Sequence, residues 1–507
     1  MVANLRGLGA TVFLAGAASL ATEMGASRLI APYFGSSNVV WANVIGLMLA
    51  FLALGYWLGG RLADSRPQRR LLAQVLLLAA LLLAATPFAA RPLLRVALHG
   101  FDVLSIGVVL GSFAGVLVLF VLPVTLMGAV SPFAIRLAIT DIGEAGRIAG
   151  RLYALSTVGS ILGTFVAALF TIPLVGTQRT LLGAAGLLAL AAMPLAPRRA
   201  LAVVVLVAAA VALPPGGIKR SSGVLWEGES QYEYVRVVQY GDGSRALEEN
   251  EGIAEQSLWY PHSILTGGYW DQFQVLPRLL ARPARNVLVL GNAGGTVSRA
   301  FNHFYPLAQV DGVELDPLVS SVGRRFLGLR ATPHMRTITA DARVFLESTQ
   351  RRYDVIVVDA YRQPYIPFQL ATEEFFQLVR AHLAPGGLIA LNLAATPRDH
   401  RLTEGVGTTL ASVFPQVWRW RALRFSDILF AFRSPRFRSD LAHRAGTVAL
   451  PLRPLVPLFR RELTRLQPHG TPWTDDRAPV EWVTDRMLAE QIARGQGLDE
   501  RPLPTQP

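Results

Sequence analysis

The sequence predicts an α-helical transmembrane bundle, then a small antiparallel β unit, then a Rossmann-like α/β domain. Three observations carry that prediction. Seven apolar runs fill the first 217 residues, at about 8–27, 39–60, 71–90, 103–127, 150–174, 180–196 and 200–214. Most of them reach the roughly 20 residues needed to span a bilayer. A break in composition follows at Pro214, Pro215, Gly216 and Gly217. From residue 285 onward strand and helix patterns alternate, as in a doubly wound parallel sheet.

Composition supports the membrane half. A chain of 507 residues that is 52% hydrophobic and 16% charged is too long and too apolar for one soluble domain. Its lack of cysteine removes disulfides, thiolate zinc sites, iron-sulfur clusters and cysteine nucleophiles. The eight histidines form no pair at ligand spacing, so no metal centre is expected. The net charge of +13 divides unevenly: residues 1–217 hold 14 Arg and five acids, the remainder 34 basic and 30 acidic residues. Arginine between apolar runs is the positive-inside pattern, so the expected partner is a lipid bilayer and not nucleic acid.

Within the bundle six or seven helices are expected, the last two being short. The first run is not expected to be a cleavable signal, because no small-residue cleavage site precedes a polar segment and further spans follow. The glycines of Gly159–Thr164 read as close helix packing. Glu23, a carboxylate inside the first run, costs about 2.5–3.5 kcal/mol to insert unless paired. Arg28 is its expected partner, and a polar substrate or ion site is the alternative reading. The Arg61–Arg70 and Arg136–Arg151 connections are expected in the cytoplasm. An even number of crossings then leaves the C-terminal domain on the same side, the expected arrangement for a multi-pass cell-membrane protein whose ligand is of nucleotide type.

The expected divisions are 1–217 for the bundle, 218–280 for the β unit, 281–450 for the α/β domain and 451–507 for a C-terminal extension. Strands are expected at Val224–Glu227 and Tyr232–Tyr240, with a turn at Gly241–Gly243 and a return strand. In the α/β domain the expected strands are Asn286–Gly291, Gln309–Leu315, Tyr353–Asp359 and Gly387–Asn392, with helices at Thr296–Phe304, Leu318–Phe326 and Thr372–Leu383 between them. Open sheets of this kind bind ligands at the carboxyl ends of their strands. The first strand ends in the loop Gly291–Gly295, whose Gly291, Ala293 and Gly295 allow a ligand close to the backbone. Glu314, 23 residues beyond Gly291, suits two ribose hydroxyls, and Asp341, followed by Ala342, suits an adenine amino group. With Asp359 these form an adenosine-type site. NAD is the competing ligand, but the loop lacks the G-x-G-x-x-G register.

Val224–Tyr232, Gly267–Asp271 ahead of Leu276 and Pro277, the glycine loop, Val313–Asp316, Asp341–Ala342 and Val358–Asp359 together resemble the spermidine synthase (polyamine aminopropyltransferase) family. Glu23–Gly35, followed by Trp41, resembles the membrane half of its fused bacterial forms. The resemblance covers roughly 224–395, and the sheet and adenosyl site are shared with class I methyltransferases. It implies a co-substrate, S-adenosylmethionine or decarboxylated S-adenosylmethionine, without metal. It further implies Asp359 as base toward an attacking amine and Tyr269 as the residue holding that nucleophile. Trp270, Arg362, Glu255 and Gln256 are expected on the acceptor side, and the soluble part is expected to be able to form a homodimer.

Three positions depart from the family pattern. Gly294 replaces an acid that holds the donor's amino end, Trp270 replaces a Gln, and Arg362 replaces the acid that anchors the far ammonium of a diamine. A guanidinium repels such an ammonium, so the expected acceptor is an amine other than putrescine or a lipid-like molecule. The segment Trp473–Glu481 resembles a C-terminal signature of the fused proteins. Its Asp475 and Asp476 read as caps for a helix after Pro479, or else as a cover for the site. Residues 494–507 are expected to be disordered. The expected function is transfer of an aminopropyl or other alkyl group. The alternatives are methyl transfer to a membrane substrate, and transport of a polyamine or metabolite with the soluble half as a sensor.

Overall fold

The computed structural model describes residues 2–35, 37–101, 107–196, 201–213, 218–219, 223–250, 255–361 and 365–493. The chain divides into two units, Met1–Ser222 with Glu227–Val235, and Gly223–Trp226 with Arg236–Pro507.

The first unit is helical: α1 (Val2–Phe34), α2 (Asn38–Ser65), α3 (Arg69–Phe101), α4 (Gly107–Gly128), α5 (Val130–Ala138), α6 (Ala145–Val166), α7 (Ile172–Val175), α8 (Thr177–Ala192) and α9 (Leu201–Ala212). Among the described residues five helical stretches are long and apolar enough to cross a membrane: Arg6–Phe34, Asn38–Ser65, Arg69–Leu94, Leu110–Ala138 and Ile142–Val175. The sequence led us to expect six or seven. The two late runs form α8 and α9, of only 16 and 12 residues. Much of α8 is buried, and Thr11 Oγ1 donates to the Ala191 carbonyl at 3.0 Å. Gly159 and Gly163 let α6 lie against α1, since a Cβ at either would collide with the carbonyl of Phe13 or Ala17. Glu23 and Arg28 do not form the expected ion pair, for the Arg28 guanidinium donates to the Gln231 carbonyl instead.

In the second unit β1 (Val224–Glu229), β2 (Tyr234–Gln239), β3 (Arg245–Glu249) and β4 (Glu255–Trp259) follow one another in a four-stranded sheet, β1 and β2 being shared with the first unit. The large sheet contains β5 (Asn286–Leu290), β6 (Gln309–Glu314), β7 (Met335–Thr339), β8 (Tyr353–Val358), β9 (Leu383–Ala394), β10 (Val417–Arg421), β11 (Ser426–Phe432) and β12 (Leu463–Arg465). Its order is β12-β10-β11-β9-β8-β5-β6-β7. The pairs from β9 to β7 are parallel, and β11, β10 and β12 extend the sheet antiparallel.

Burial on both faces explains the unbroken apolar strands. Val287 and Val289 join one core with Phe301 and Trp420, while Leu288 and Leu290 join another with Ile356 and Phe375. The helices are α10 (Thr296–Phe304), α11 (Pro317–Phe326), α12 (Ala342–Ser348), α13 (Glu373–His382), α14 (Arg401–Val413), α15 (Arg438–Ala445), α16 (Leu455–Glu462) and α17 (Val480–Ala493). Asp475 neither caps α17 nor covers the site by any observed bond. It accepts from Arg343 at 2.8 and 2.7 Å and from Thr372 Oγ1 at 2.7 Å, tying the C-terminal segment to α12 and α13. The expected disordered tail, 494–507, lies outside the described residues.

Candidate active site

Strand order reverses direction between β5 and β8, and in open α/β sheets such a switch point opens a crevice at the carboxyl ends. Gly291 follows β5 and Asp359 follows β8, and the Asp359 amide donates to the Leu290 carbonyl at 2.8 Å. Glycine is required at 291 for two reasons: its φ is +83°, and a Cβ there would meet the backbone of Asp359 and Ala360. Ala293 also has positive φ, +43°, and Gly295 has +89° as the chain enters α10.

The loop is held from two sides. Glu314, at the end of β6, accepts from the Ala293 amide at 2.8 Å and from the Asp316 amide at 3.0 Å. Burial raises its proton affinity, and these two amide donors oppose the rise. Ser257 of β4 accepts from the Gly294 amide at 2.9 Å. Asp341 Oδ1 caps α12, accepting from Arg343 at 2.9 Å and Val344 at 3.1 Å, while Ala342 opens that helix. Glu314 and Asp341 thus each spend part of their acceptor capacity on the fold.

Asp359 is the point on which donors converge. The Tyr269 hydroxyl donates to its Oδ2 at 3.2 Å, and side-chain donors of Asn392 and Trp270 also face it. Its Oδ1 is buried without a hydrogen-bond partner among the described residues. Burial pushes Asp359 up to about 8, against the pull of the Asn392, Tyr269 and Trp270 donors. Asn392, at the end of β9, accepts from Ser426 Oγ at 2.6 Å through Oδ1, which leaves its amide NH2 for Asp359. The Tyr361 hydroxyl beside it donates to the Asn392 carbonyl at 2.7 Å.

Tyr269 and Trp270 arrive on a short 3₁₀ turn, Tyr269–Gln274, with ring centroids 4.6 Å apart. Asp271 holds the approach to that turn, accepting from the amides of Thr266, at 3.0 and 2.9 Å, and of Gly267, at 2.7 Å. Burial raises Asp271 to about 6, against these donors.

The structure therefore brings Tyr269, Trp270, Gly291 and Asp359 to one place, and joins Ala293 to Glu314. Trp270 is 4% exposed and belongs to the core, its polar edge toward Asp359, so it is a wall more than an open contact. Glu255 and Gln256 do not join Asp359 by any hydrogen bond among the described residues. The Tyr240 hydroxyl donates to Glu255 at 2.7 Å, and Gln256 Nε2 is buried without a partner. Arg362 lies outside the described residues. Sequence reasoning missed Asn392, Ser426 and Ser257. A polar residue closing an otherwise apolar strand, as Asn392 does in Leu388–Leu393, was the available signal for the first.

Residues 269–421 match the spermine/spermidine synthase domain model. A probable polyamine aminopropyl transferase of Bifidobacterium longum is 34% identical over 194 residues, which cover 38% of this chain and 43% of that protein. A polyamine aminopropyltransferase of Vibrio vulnificus is 27% identical over 264 residues, covering 48% of this chain and 83% of that one. An eEF1A lysine and N-terminal methyltransferase of Xenopus laevis is 30% identical over 152 residues, covering 28% of this chain and 22% of that one. The chain spans less than half the length of the first of these relatives, and over residues 269–421 it is similar to the spermine/spermidine synthase family.

Proposed function

We propose that this chain is a membrane-embedded transferase. It binds S-adenosylmethionine or its decarboxylated form and delivers an aminopropyl or other alkyl group to an amine other than putrescine. The observation that carries the reading is Asp359, with the Tyr269 hydroxyl on its Oδ2 and Oδ1 buried without a partner among the described residues. In this reading Oδ1 takes a proton from the acceptor ammonium, and the freed lone pair attacks the carbon next to the sulfonium. The C–S bond breaks and a neutral thioether leaves. A base near 8 suits that task better than an ordinary carboxylate, because proton transfer from an amine is then less uphill. Glu314 and the glycine loop are suited to the donor's ribose, and Asp341 Oδ2 to its adenine. The exclusion of putrescine rests on Arg362 and Gly294.

Calorimetry with methylthioadenosine tests donor binding, and mass analysis of labelled membrane extract identifies the transferred group. Failure to bind either donor or methylthioadenosine sinks the proposal. Methyl transfer is the second reading, favoured by the similarity to the Xenopus methyltransferase and by the bare Gly294. A product heavier by a methyl group decides for it.

A further inference from the structure

The helical unit has two chemically distinct ends, and its internal contacts fix which segment lies at which. α1 and α6 run parallel, with Gly159 against Phe13 and Gly163 against Ala17. α2 and α4 also run parallel, with Asn43 bonded to Ser112 at 2.9 Å and Gly59 against Ala129 beyond the end of α4. α1 and α8 run antiparallel, since Gly7 meets Pro194 and Gly25 meets Leu181. One end therefore gathers the start of α1, the α2–α3 and α5–α6 connections and the end of α8. The other gathers the end of α1 and the starts of α2, α4 and α8.

Arginine is concentrated at the first end. Arg61, Arg66, Arg69 and Arg70 lie at or beside the α2–α3 connection, and Arg136, Arg147 and Arg151 flank the α5–α6 connection. The second end holds fewer, Arg28 late in α1, Arg91 and Arg95 late in α3 and Arg179 early in α8, so the arginine excess stays at the first end. The positive-inside rule makes the arginine-rich end cytoplasmic.

The chain leaves the bundle at the opposite end. The Tyr33 hydroxyl donates to the Ile218 carbonyl at 2.7 Å, and Arg28 donates to the Gln231 carbonyl. Glu229 takes the N-terminus of α8, accepting from the Thr177 amide at 2.7 Å and from its hydroxyl. Residues 227–235 belong to this unit, and after them no described helix is long and apolar enough to recross a membrane. Counting five crossings, or seven with α8 and α9, gives the same odd parity.

We infer that the residues following Val235 lie on the non-cytoplasmic side, where the candidate site meets donor and acceptor from outside the cytoplasm. This replaces the even crossing number and the cytoplasmic soluble domain expected from the sequence. It rests on the membrane part of the proposed function and is independent of the reaction.

The absence of native cysteine permits a direct test on the full chain. Single cysteines are placed at exposed positions, Gln68→Cys and Ile142→Cys at the arginine-rich end, Gly241→Cys and Phe437→Cys in the second unit. A membrane-impermeant maleimide is applied to spheroplasts before and after permeabilisation. Labelling of Gly241→Cys and Phe437→Cys before permeabilisation, and of Gln68→Cys and Ile142→Cys only after it, is the expected result. The reverse pattern overturns the side, and labelling of all four from one side overturns the parity. Carbonate extraction of the same membranes tests insertion separately: release of the chain sinks the membrane reading itself.

Discussion

The Tyr269 hydroxyl stands 3.2 Å from Asp359 Oδ2 across 90 residues of sequence, and it donates. A donor stabilises the ionised carboxylate, so Tyr269 acts against the burial that raises Asp359. Removing it with Tyr269→Phe should move the basic shift further. A hydrogen bond to a charged group contributes about 1.5–3 kcal/mol, and one pKa unit is about 1.4 kcal/mol. The expected outcome is an alkaline displacement of the ascending limb of the pH–rate profile by about one unit, with donor binding unchanged.

Asp359→Asn keeps the shape and removes the proposed base. Transfer should fall by about 10²–10⁴-fold while methylthioadenosine binding persists. In the native chain the rate should climb as pH rises through about 8, because only the ionised carboxylate accepts a proton. Stability should run the other way. A buried acid raised in the fold contributes stability that is complete below the ordinary carboxylate range and is lost as pH rises through about 8. The melting temperature of Asp359→Asn relative to the native chain should therefore be higher at pH 9 than at pH 6.

Ser426 and Asn392 set the orientation of a donor that Tyr269 does not supply. An amide can be flipped, and the 2.6 Å bond from Ser426 Oγ to Asn392 Oδ1 is what turns the NH2 toward Asp359. Asn392→Leu should displace the pH profile alkaline, as Tyr269→Phe does. Ser426→Ala should do so by less, because the amide keeps its group but loses its fixed orientation. A drop in rate with no change in pH profile would mean that the pair only supports the fold.

What was legible in the sequence was periodic or local. Val287–Leu290 and Val355–Val358 could be read as buried strands because both faces are covered, and the glycine loop because its backbone conformation excludes most side chains. The carboxylates at strand ends followed from those strands. Juxtapositions made by register were not legible. Asn392 meets Ser426 only because β11 pairs antiparallel with β9, and nothing local to residue 392 announces it. Glu23 and Arg28 show the converse error: spacing along one helix suggested a pair, and a carbonyl some 200 residues away took the guanidinium.

Asp475 makes a related point at the C-terminal segment, where two acids looked like a helix cap. Its two oxygens instead take a bidentate pair from Arg343, which is 23% exposed, and the Thr372 hydroxyl. Partial burial and a third partner raise such a pair above an ordinary surface ion pair. Asp475→Ala should cost about 1–2 kcal/mol, judged from hydrogen bonds to charged groups. Limited proteolysis should then cut within 466–479 faster than in the native chain, whereas Asp476→Ala should leave the cleavage rate unchanged.

Gly294 offers a test of whether the departures from the family pattern can be undone one at a time. Restoring an acid there by Gly294→Asp places a Cβ into Leu327 Cδ1 and about 3.0 Å from Ser257 Cβ. It also strains the 2.9 Å bond by which the Gly294 amide holds Ser257. Overpacking of this kind costs about 1–3 kcal/mol. The single substitution should therefore lower the melting temperature and confer no transfer to putrescine. Leu327→Ala in the same chain relieves the collision with Cδ1, so the double variant should recover stability relative to Gly294→Asp. Under the proposed function Arg362 replaces the acid of the family pattern in sequence, so putrescine should remain a poor acceptor even then. Efficient putrescine turnover by Gly294→Asp alone would show that the loop accommodates an acid and that Arg362 does not oppose the diamine.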